Sequence, residues 1–299
     1  MKDLHQLPKF RDTISSIYLE HGKVDQHEKA IAFHDKEGKV PIPAASVSVL
    51  ILGPGTSITH AAMKALADNN TLVIWSGEEG VRFYAHGMGG TRSSSSLLLQ
   101  AKLACDDASR LEVVKRMYQI RFNEELPLDI TIEQLRGMEG VRVRNTYKEM
   151  SQETGVIWQG RNYDRSNWHS GDPVNKALSA ANSCLYGLCH AAILSLGLSP
   201  AIGFIHTGKQ LSFVYDIADL YKTEITIPIA FQVAKENAPG VERTSRLKCR
   251  DAFKETKLLH RVVFDIKRVL GQEKLEEIKF EPDEDPAMPA PLWSPEDEN

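Results

Sequence analysis

Cysteine and uninterrupted apolar segments are both scarce in this 299-residue chain. The four cysteines include no C-x-x-C pair, which excludes the usual zinc-knuckle and redox spacings. A chain of this length needs no disulfide staple, so we expect reduced thiols. The N-terminus has no apolar signal core, and polar residues and glycines interrupt the most apolar stretch, 188–205. We therefore predict a cytoplasmic protein with no membrane span.

Several familiar catalytic motifs are also absent. The segment Gly53-Pro-Gly-Thr56 lacks the spacing and the lysine of a phosphate-binding loop. No G-x-S-x-G elbow occurs, and no cysteine stands in a catalytic motif. These absences argue against a P-loop nucleotidase, an α/β-hydrolase and a cysteine-nucleophile enzyme.

Charge is unevenly distributed along the chain. The net charge is −4, but residues 281–299 carry seven acidic residues and no lysine or arginine, and the remainder has 36 basic against 33 acidic residues. Residues 242–268 alone hold nine basic and four acidic residues. This basic region favours a polyanionic partner such as DNA, although a solvated helix face would give the same pattern. The acidic, proline-rich tail, 281–299, is expected to be disordered.

The spacing of apolar residues changes near residue 90. In 1–86, short runs rich in Val, Ile and Leu predict a β-rich domain of about six strands, with one helix that begins after Ser57 or Thr59 and ends near Asp68. The small residues of 87–96 predict a linker. From 97 to 280, three- and four-residue spacing predicts a larger helical domain. We therefore expect an α+β fold, with a small N-terminal β-rich domain and a larger all-helical C-terminal domain.

Seven helices are predicted in the second domain. Asp172-Pro173 supplies a favourable N-cap and first-turn pair for the fourth of them. The predicted ranges are Leu97–Cys105, Ala108–Phe122, Ile132–Gln152, Val174–Leu196, Phe213–Tyr221, Ile227–Glu236 and Arg243–Leu270.

Four residues of the helical domain are candidates for a metal site. Asp216 and Asp219 are three positions apart and would share a helix face, and His206 lies shortly upstream at the end of an apolar run. Glu139 lies between two glycines in another helical stretch. Taken singly, the aspartates could form a solvated face and the histidine could be a core residue. Taken together, they form a ligand set that suits Mg²⁺ or Mn²⁺ better than structural zinc. Spacing alone does not bring Glu139 to the other three.

Long segments of the chain resemble the CRISPR-associated integrase, the first universal adaptation protein, in its I-E subtype. The resemblance extends over almost the whole length, from Tyr18-Leu-Glu-His-Gly22 to Cys249-Arg-Asp251. Its most specific segments are Glu133-Gln-Leu-Arg-Gly-Met-Glu-Gly-Val-Arg-Val-Arg144, Ser183-Cys-Leu-Tyr-Gly187, Pro200-Ala-Ile-Gly-Phe-Ile-His-Thr-Gly-Lys209 and Leu211-Ser-Phe-Val-Tyr-Asp-Ile-Ala-Asp219.

The resemblance implies an endonuclease and integrase that requires Mg²⁺ or Mn²⁺ and inserts prespacer DNA into a CRISPR array by 3′-hydroxyl transesterification. It implies a homodimer, a complex with the small second CRISPR adaptation protein, and two DNA partners: a duplex with single-stranded ends, and CRISPR repeat DNA. By resemblance, Glu139, His206 and Asp219 would be metal ligands, and Asp216 an auxiliary catalytic carboxylate.

The resemblance also implies a set of DNA-binding residues. Aromatic rings beside basic side chains are suited to base stacking, although core packing is the alternative for each ring. The residues are Arg82, Tyr163, Tyr186, Lys209, Lys222, Arg243, Arg246 and Arg250.

The chain departs from its relatives at two positions. His21 stands where they have a tyrosine, and Asp285 stands where a glutamine reads the protospacer-adjacent motif. Two other hypotheses remain beside the integrase: a non-catalytic DNA-binding scaffold with a structural metal, and a metal phosphoesterase that acts on small molecules.

Overall fold

The β strands occupy the N-terminal part of the chain and form two four-stranded sheets. The structure, a computed structural model, describes residues 16–28, 30–78, 82–87, 94–122, 126–127, 130–161, 172–237 and 240–271. The strands within these ranges are β1 (Ser16–Leu19), β2 (Lys23–His27), β3 (Ala30–His34), β4 (Lys39–Ile42), β5 (Val49–Leu52), β6 (Ser57–Ile58), β7 (Leu72–Ser76) and β8 (Phe83–Gly87).

The two sheets differ in their pairing. The first has the order β1-β5-β7-β8, in which the first three strands are parallel and β8 is antiparallel to β7. The second has the order β4-β3-β2-β6, in which β2, β3 and β4 are antiparallel and β6 is parallel to β2. Strands β5 and β7 are almost wholly apolar because both faces of this parallel pair are covered.

A single helix, α1 (His60–Asp68), packs into the β-rich region. Its N-cap is Thr59, whose side-chain oxygen accepts a hydrogen bond from the amide of Ala62. Ala62 and Leu66 on the inner face of α1 are fully buried with Leu50 of the first sheet and Val24 of the second. Of the two predicted caps, Ser57 and Thr59, the structure has Thr59, and the predicted end at Asp68 is confirmed.

The remainder of the chain is mostly helical, which confirms the predicted fold class. The helices are α2 (Ser95–Cys105), α3 (Asp107–Phe122), α4 (Ile132–Thr154), α5 (Pro173–Ser195), α6 (Ser212–Ala218), α7 (Ile227–Glu236), α8 (Val241–Glu255) and α9 (Leu258–Val269). A π-helical segment, Lys222–Thr226, joins α6 to α7.

Helix α5 is the centre of the helical part and packs against α6, α7, α8 and α9. Asp172 caps it by accepting a hydrogen bond from the amide of Asn175, and Pro173 occupies its first position, as the sequence predicts. Among the described helices, it is the one that is long and apolar enough to cross a membrane, but 72% of its apolar window is buried within the protein. Its composition therefore fits a core helix.

The prediction of one helix from Arg243 to Leu270 is wrong. Helix α8 ends at Glu255 and α9 begins at Leu258, with Lys257 between them in the left-handed region at φ 48°. The break redirects the chain so that Val262 and Ile266 fill the main helical core. Basic residues at helical spacing continue through the break, which explains why the sequence gives no warning of it.

The prediction of about six strands is also too low, since eight strands lie in the described residues. The additional strands include β2, which is mostly polar, and β4, in which Pro41 interrupts the short apolar run. Most of the predicted linker, all of the acidic tail, and Tyr163 lie outside the described residues.

The first sheet contacts the helical part through β8 and α5. The ring of Phe83 stacks on that of His190, with 3.7 Å between the ring centroids. Val49 and Ile74 of the sheet pack with Ala191 and Leu194 of α5. This junction holds the sheet against the C-terminal part of α5.

Candidate functional site

Glu139 lies on α4 and faces α3. The N-terminus of α4 is fixed by a capping box between Thr131 and Gln134. The hydroxyl of Tyr118 donates to Oε2 of Glu139 at 2.7 Å, and Nη1 of Arg121 lies 2.6 Å from Oε1. Burial, followed by the bond to Glu139, raises the pKa of Tyr118. Both oxygens of Glu139 are therefore bonded to partners on α3.

Asp216 is buried on α6 and binds the loop that carries His206. Its Oδ2 accepts hydrogen bonds from the amides of Phe204 and Ile205, at 2.6 and 3.1 Å. Its Oδ1 accepts a hydrogen bond from the amide of His206 at 2.8 Å, and Nδ1 of the same residue lies 2.7 Å away. The loop can close this tightly only with a glycine at position 203, where a Cβ would lie 2.2 Å from the carbonyl oxygen of His206.

The bond to Asp216 fixes the imidazole of His206. Because a carboxylate accepts from Nδ1, the proton is assigned to that nitrogen, and Nε2 is left to act as an acceptor or a metal ligand. The hydrogen bond to Asp216 raises the pKa of His206 in spite of its partial burial. Nε2 points toward Asp219, whose Oδ2 is 4.0 Å away.

Asp219 lies at the C-terminal end of α6 and contacts cations on both oxygens. Nζ of Lys222 is 2.6 Å from Oδ1, and Nη1 of Arg121 is 3.9 Å from Oδ2. Burial lowers the pKa of Lys222, but the charges of Asp219 and Tyr186 and the hydrogen bonds to them together outweigh burial, so the pKa is raised overall. Lys222 also lies over the ring of Tyr186, 4.9 Å from its centroid.

The fold thus brings all four predicted residues into one neighbourhood. Glu139 and Asp219 both contact the guanidinium of Arg121, Nε2 of His206 faces Asp219, and Asp216 lies behind the imidazole. Two carboxylates with one imidazole nitrogen fit an oxygen-preferring divalent ion in chemical type. In the described part of the chain, however, no three His, Cys, Asp or Glu side chains are close enough together to hold a metal ion at once, since Arg121 lies between the two carboxylates.

Two residues of this neighbourhood escape the sequence analysis: Tyr118 and Arg121. An arginine in a mixed helix normally indicates a solvated face, but the side chain of Arg121 is only 4% exposed. The available signal is its spacing, because Arg121 follows the apolar residues Met117 and Tyr118 by four and three positions and therefore shares their buried face.

The predicted DNA-binding residues lie on two surfaces. Arg82, Tyr186 and Arg246 line one cleft of about 820 Å³ between β8, α5 and α8. Arg243 and Arg250 lie on the same side of α8 as Arg246, three and four positions from it.

Two other predicted DNA-binding residues of the described chain, Lys222 and Lys209, lie near the candidate ligands Asp219 and His206. Lys222 pairs with Asp219, and exposed Lys209 lies 5.9 Å from the ring centroid of Tyr215. Tyr186 is partly buried and makes an edge contact with Tyr215, with 5.1 Å between ring centroids. Tyr186 therefore both packs against the protein and borders the cleft.

Comparison with known proteins identifies one family. The family model described as CRISPR associated protein Cas1 matches residues 17–125 and 119–240. The CRISPR-associated endonuclease Cas1 2 of Thermus thermophilus is 52% identical over 297 residues, which cover 99% of this chain and 91% of that protein. The CRISPR-associated endonuclease Cas1 of Escherichia coli is 45% identical over 291 residues, with 97% and 95% covered.

A solved structure agrees with these matches. The crystal structure of a TtCas1–DNA complex superposes with a TM-score of 0.81 at 53% identity, and the alignment covers 90% of this chain and all of the other. The shared architecture therefore extends across both the β-rich and the helical parts.

Proposed function

This chain belongs to the CRISPR-associated protein Cas1 family, and from that premise we propose that it is a metal-dependent DNA endonuclease and integrase. In this proposal it inserts prespacer DNA into a CRISPR array, by attack of a DNA 3′-hydroxyl on a phosphate of the repeat. The endonuclease names of its relatives support the nuclease part, and the TtCas1–DNA complex supports DNA binding. The observation that carries the proposal is the linked arrangement of the three side chains, in which Arg121 contacts both Glu139 and Asp219, and Nε2 of His206 faces Asp219.

Glu139, His206 and Asp219 would hold the metal, Mg²⁺ or Mn²⁺. When bound, such an ion supplies Lewis-acid polarisation of the scissile phosphate. The role of Asp216 is different, because its oxygens are already engaged by the loop and by Nδ1 of His206. It would keep Nε2 directed at the metal position, as hydrogen-bonded carboxylates do for other metal-binding histidines.

Positive charge beside the carboxylates supports phosphoryl chemistry at this position. Lys222 pairs with Asp219, where it would stabilise the negative charge that develops on the phosphate oxygens. Tyr186, which lies under Lys222, offers a ring for stacking on an unpaired base.

The basic cleft would hold the incoming duplex. Arg82 and Arg246 both line the cleft, and cationic side chains in a groove contact phosphates with little regard to sequence. Arg243, Arg250 and Lys209 would extend this surface, and the resemblance to the family adds Tyr163 as a DNA contact. In the full proposal the protein acts in the cytoplasm as a homodimer, in complex with the small second CRISPR adaptation protein, on a duplex with single-stranded ends and on CRISPR repeat DNA. The I-E subtype is part of the same proposal.

The test is a half-site integration assay with the purified small partner, a forked duplex and a repeat-containing target. Asp219→Asn should reduce strand transfer at least about 100-fold, because it removes a charged ligand next to the reacting phosphate, while far-UV circular dichroism stays native. The matched control is Glu112→Gln, which alters an exposed carboxylate on α3 and should leave activity unchanged. Full strand transfer by Asp219→Asn would refute the proposed site.

A DNA-binding scaffold with a structural metal is the second candidate. The feature that favours it is the neutralisation of Glu139 and Asp219 by Arg121 and Lys222, since ion pairs of this kind also serve purely structural roles. A scaffold would lose thermal stability on chelation and would yield no strand-transfer product in the same assay, with or without metal. The integrase would yield product that disappears on chelation.

A further inference from the structure

The guanidinium of Arg121 lies where two of the proposed metal ligands meet. It is 4% exposed, 2.6 Å from Oε1 of Glu139 and 3.9 Å from Oδ2 of Asp219. We propose that Arg121 is a positioning residue that holds these two carboxylates together in the metal-free protein and competes with the divalent ion for them. This inference rests on the proposed function, because it requires that a metal bind there.

The charges around the site explain why such a residue is needed. Helix α4 brings the carboxylate of Glu139 beside that of Asp219 at the end of α6, where Asp216 lies one turn earlier, and carboxylates in such proximity repel one another. Arg121 and Lys222 are the cations in contact with Glu139 and Asp219. Without Arg121, the metal-free site would lose the cation that Glu139 and Asp219 share.

The bonding of Arg121 indicates that it is held by charge and can be displaced. Its Nε is buried, and no described residue accepts a hydrogen bond from it. A buried guanidinium that serves only a structural purpose normally uses its donors fully, because an unsatisfied donor is costly. The contact with Asp219, at 3.9 Å, is also longer than a hydrogen bond.

Arg116, also on α3, is an arginine whose Nε does have a hydrogen-bond acceptor. Its Nε donates to the carbonyl oxygen of Val269 at 2.7 Å, which ties α3 to the end of α9. Arg116 therefore provides a matched control: a partly buried arginine on α3 with a structural bond and no contact with the proposed ligands.

Charge competition predicts the sign of an effect on metal affinity. A divalent ion between Glu139 and Asp219 would lie beside the positive charge of Arg121, and like charges at such distances repel. Replacing Arg121 with a neutral residue should therefore destabilise the metal-free protein and tighten metal binding. A merely structural arginine would show the first effect without the second.

The experiment measures Mn²⁺ binding by isothermal titration, and melting temperature with and without Mn²⁺, on the full chain after treatment with EDTA. Arg121→Gln should melt at a lower temperature than the wild type without metal. It should bind Mn²⁺ about tenfold more tightly, equivalent to about 1.4 kcal/mol, and gain more in melting temperature at the same Mn²⁺ concentration. Arg116→Gln should melt lower but bind Mn²⁺ as the wild type does.

Arg121→Lys keeps the proposal testable if the glutamine variant fails to fold. Lysine retains the positive charge, so its Mn²⁺ affinity should stay within about threefold of the wild type. A lysine variant that tightens binding tenfold, or a folded glutamine variant whose affinity is unchanged or weaker, would overturn the role of Arg121 alone. A wild-type chain that binds no Mn²⁺ would overturn the proposed function and this inference with it.

Discussion

The two sides of the candidate site are built differently. On one side, Asp216 accepts three backbone amide hydrogen bonds and holds the imidazole of His206, all through contacts of 2.6–3.1 Å. On the other side, Glu139 and Asp219 are held mainly by the cations Arg121 and Lys222. The first side is a fixed frame, whereas the second can exchange one cation for another.

This difference assigns distinct roles to two aspartates that are only three residues apart. Asp216 has its oxygens directed into the loop at 204–206, so it organises the site. Asp219 receives no such backbone bonds to its side chain among the described contacts and faces Nε2 of His206. Their spacing in sequence predicts a shared face, and the hydrogen bonds distinguish them.

The largest expected loss of stability comes from removing the carboxylate of Asp216, which holds the loop at 204–206. Asp216→Ala would leave several buried donors without an acceptor and should cost about 3–5 kcal/mol of unfolding free energy. Asp219→Ala should cost only about 1 kcal/mol, because Lys222 is partly exposed and can be solvated. Urea denaturation of both variants provides the measurement, and equal losses would contradict the division between the two sides.

A smaller effect is expected from the hydrogen bond between Tyr118 and the carboxylate of Glu139. Tyr118→Phe removes the hydroxyl that donates to Glu139 and should cost about 1.5–2 kcal/mol. The double variant with Asp216→Ala should be additive within about 0.5 kcal/mol, because the two sites share no partner. Urea denaturation of the single and double variants would measure the coupling, and a coupling well above that value would show that the two sides form one network.

Local parts of the fold can be predicted from the sequence. Thr59 and Asp172 are N-caps as expected because the capping hydrogen bond is made within three residues. The pairing of Asp216 with His206 is also nearly local, because the two residues are only ten positions apart and a glycine turn lies between them. Segments with a strong apolar period, such as α7, have the predicted bounds.

Other features depend on tertiary contacts that spacing does not encode. Glu139 and Asp219 are linked through Arg121, which α3 supplies from a third helix, and family resemblance, not periodicity, predicts that Glu139 belongs to the site. The polar strand β2 is formed through its pairing with β3 and β6. Lys257 interrupts a helical pattern with a backbone conformation that its own side chain does not favour.

The central claim is that Glu139, His206 and Asp219 hold one divalent ion while Asp216 supports the histidine. Crystals grown with Mn²⁺ and measured for anomalous scattering test this most directly. The account predicts one strong peak within about 2.5 Å of a carboxylate oxygen of Glu139, Nε2 of His206 and an oxygen of Asp219, with Asp216 still bonded to Nδ1. A peak ligated by Asp216, or no peak near Glu139 at saturating Mn²⁺, would contradict it.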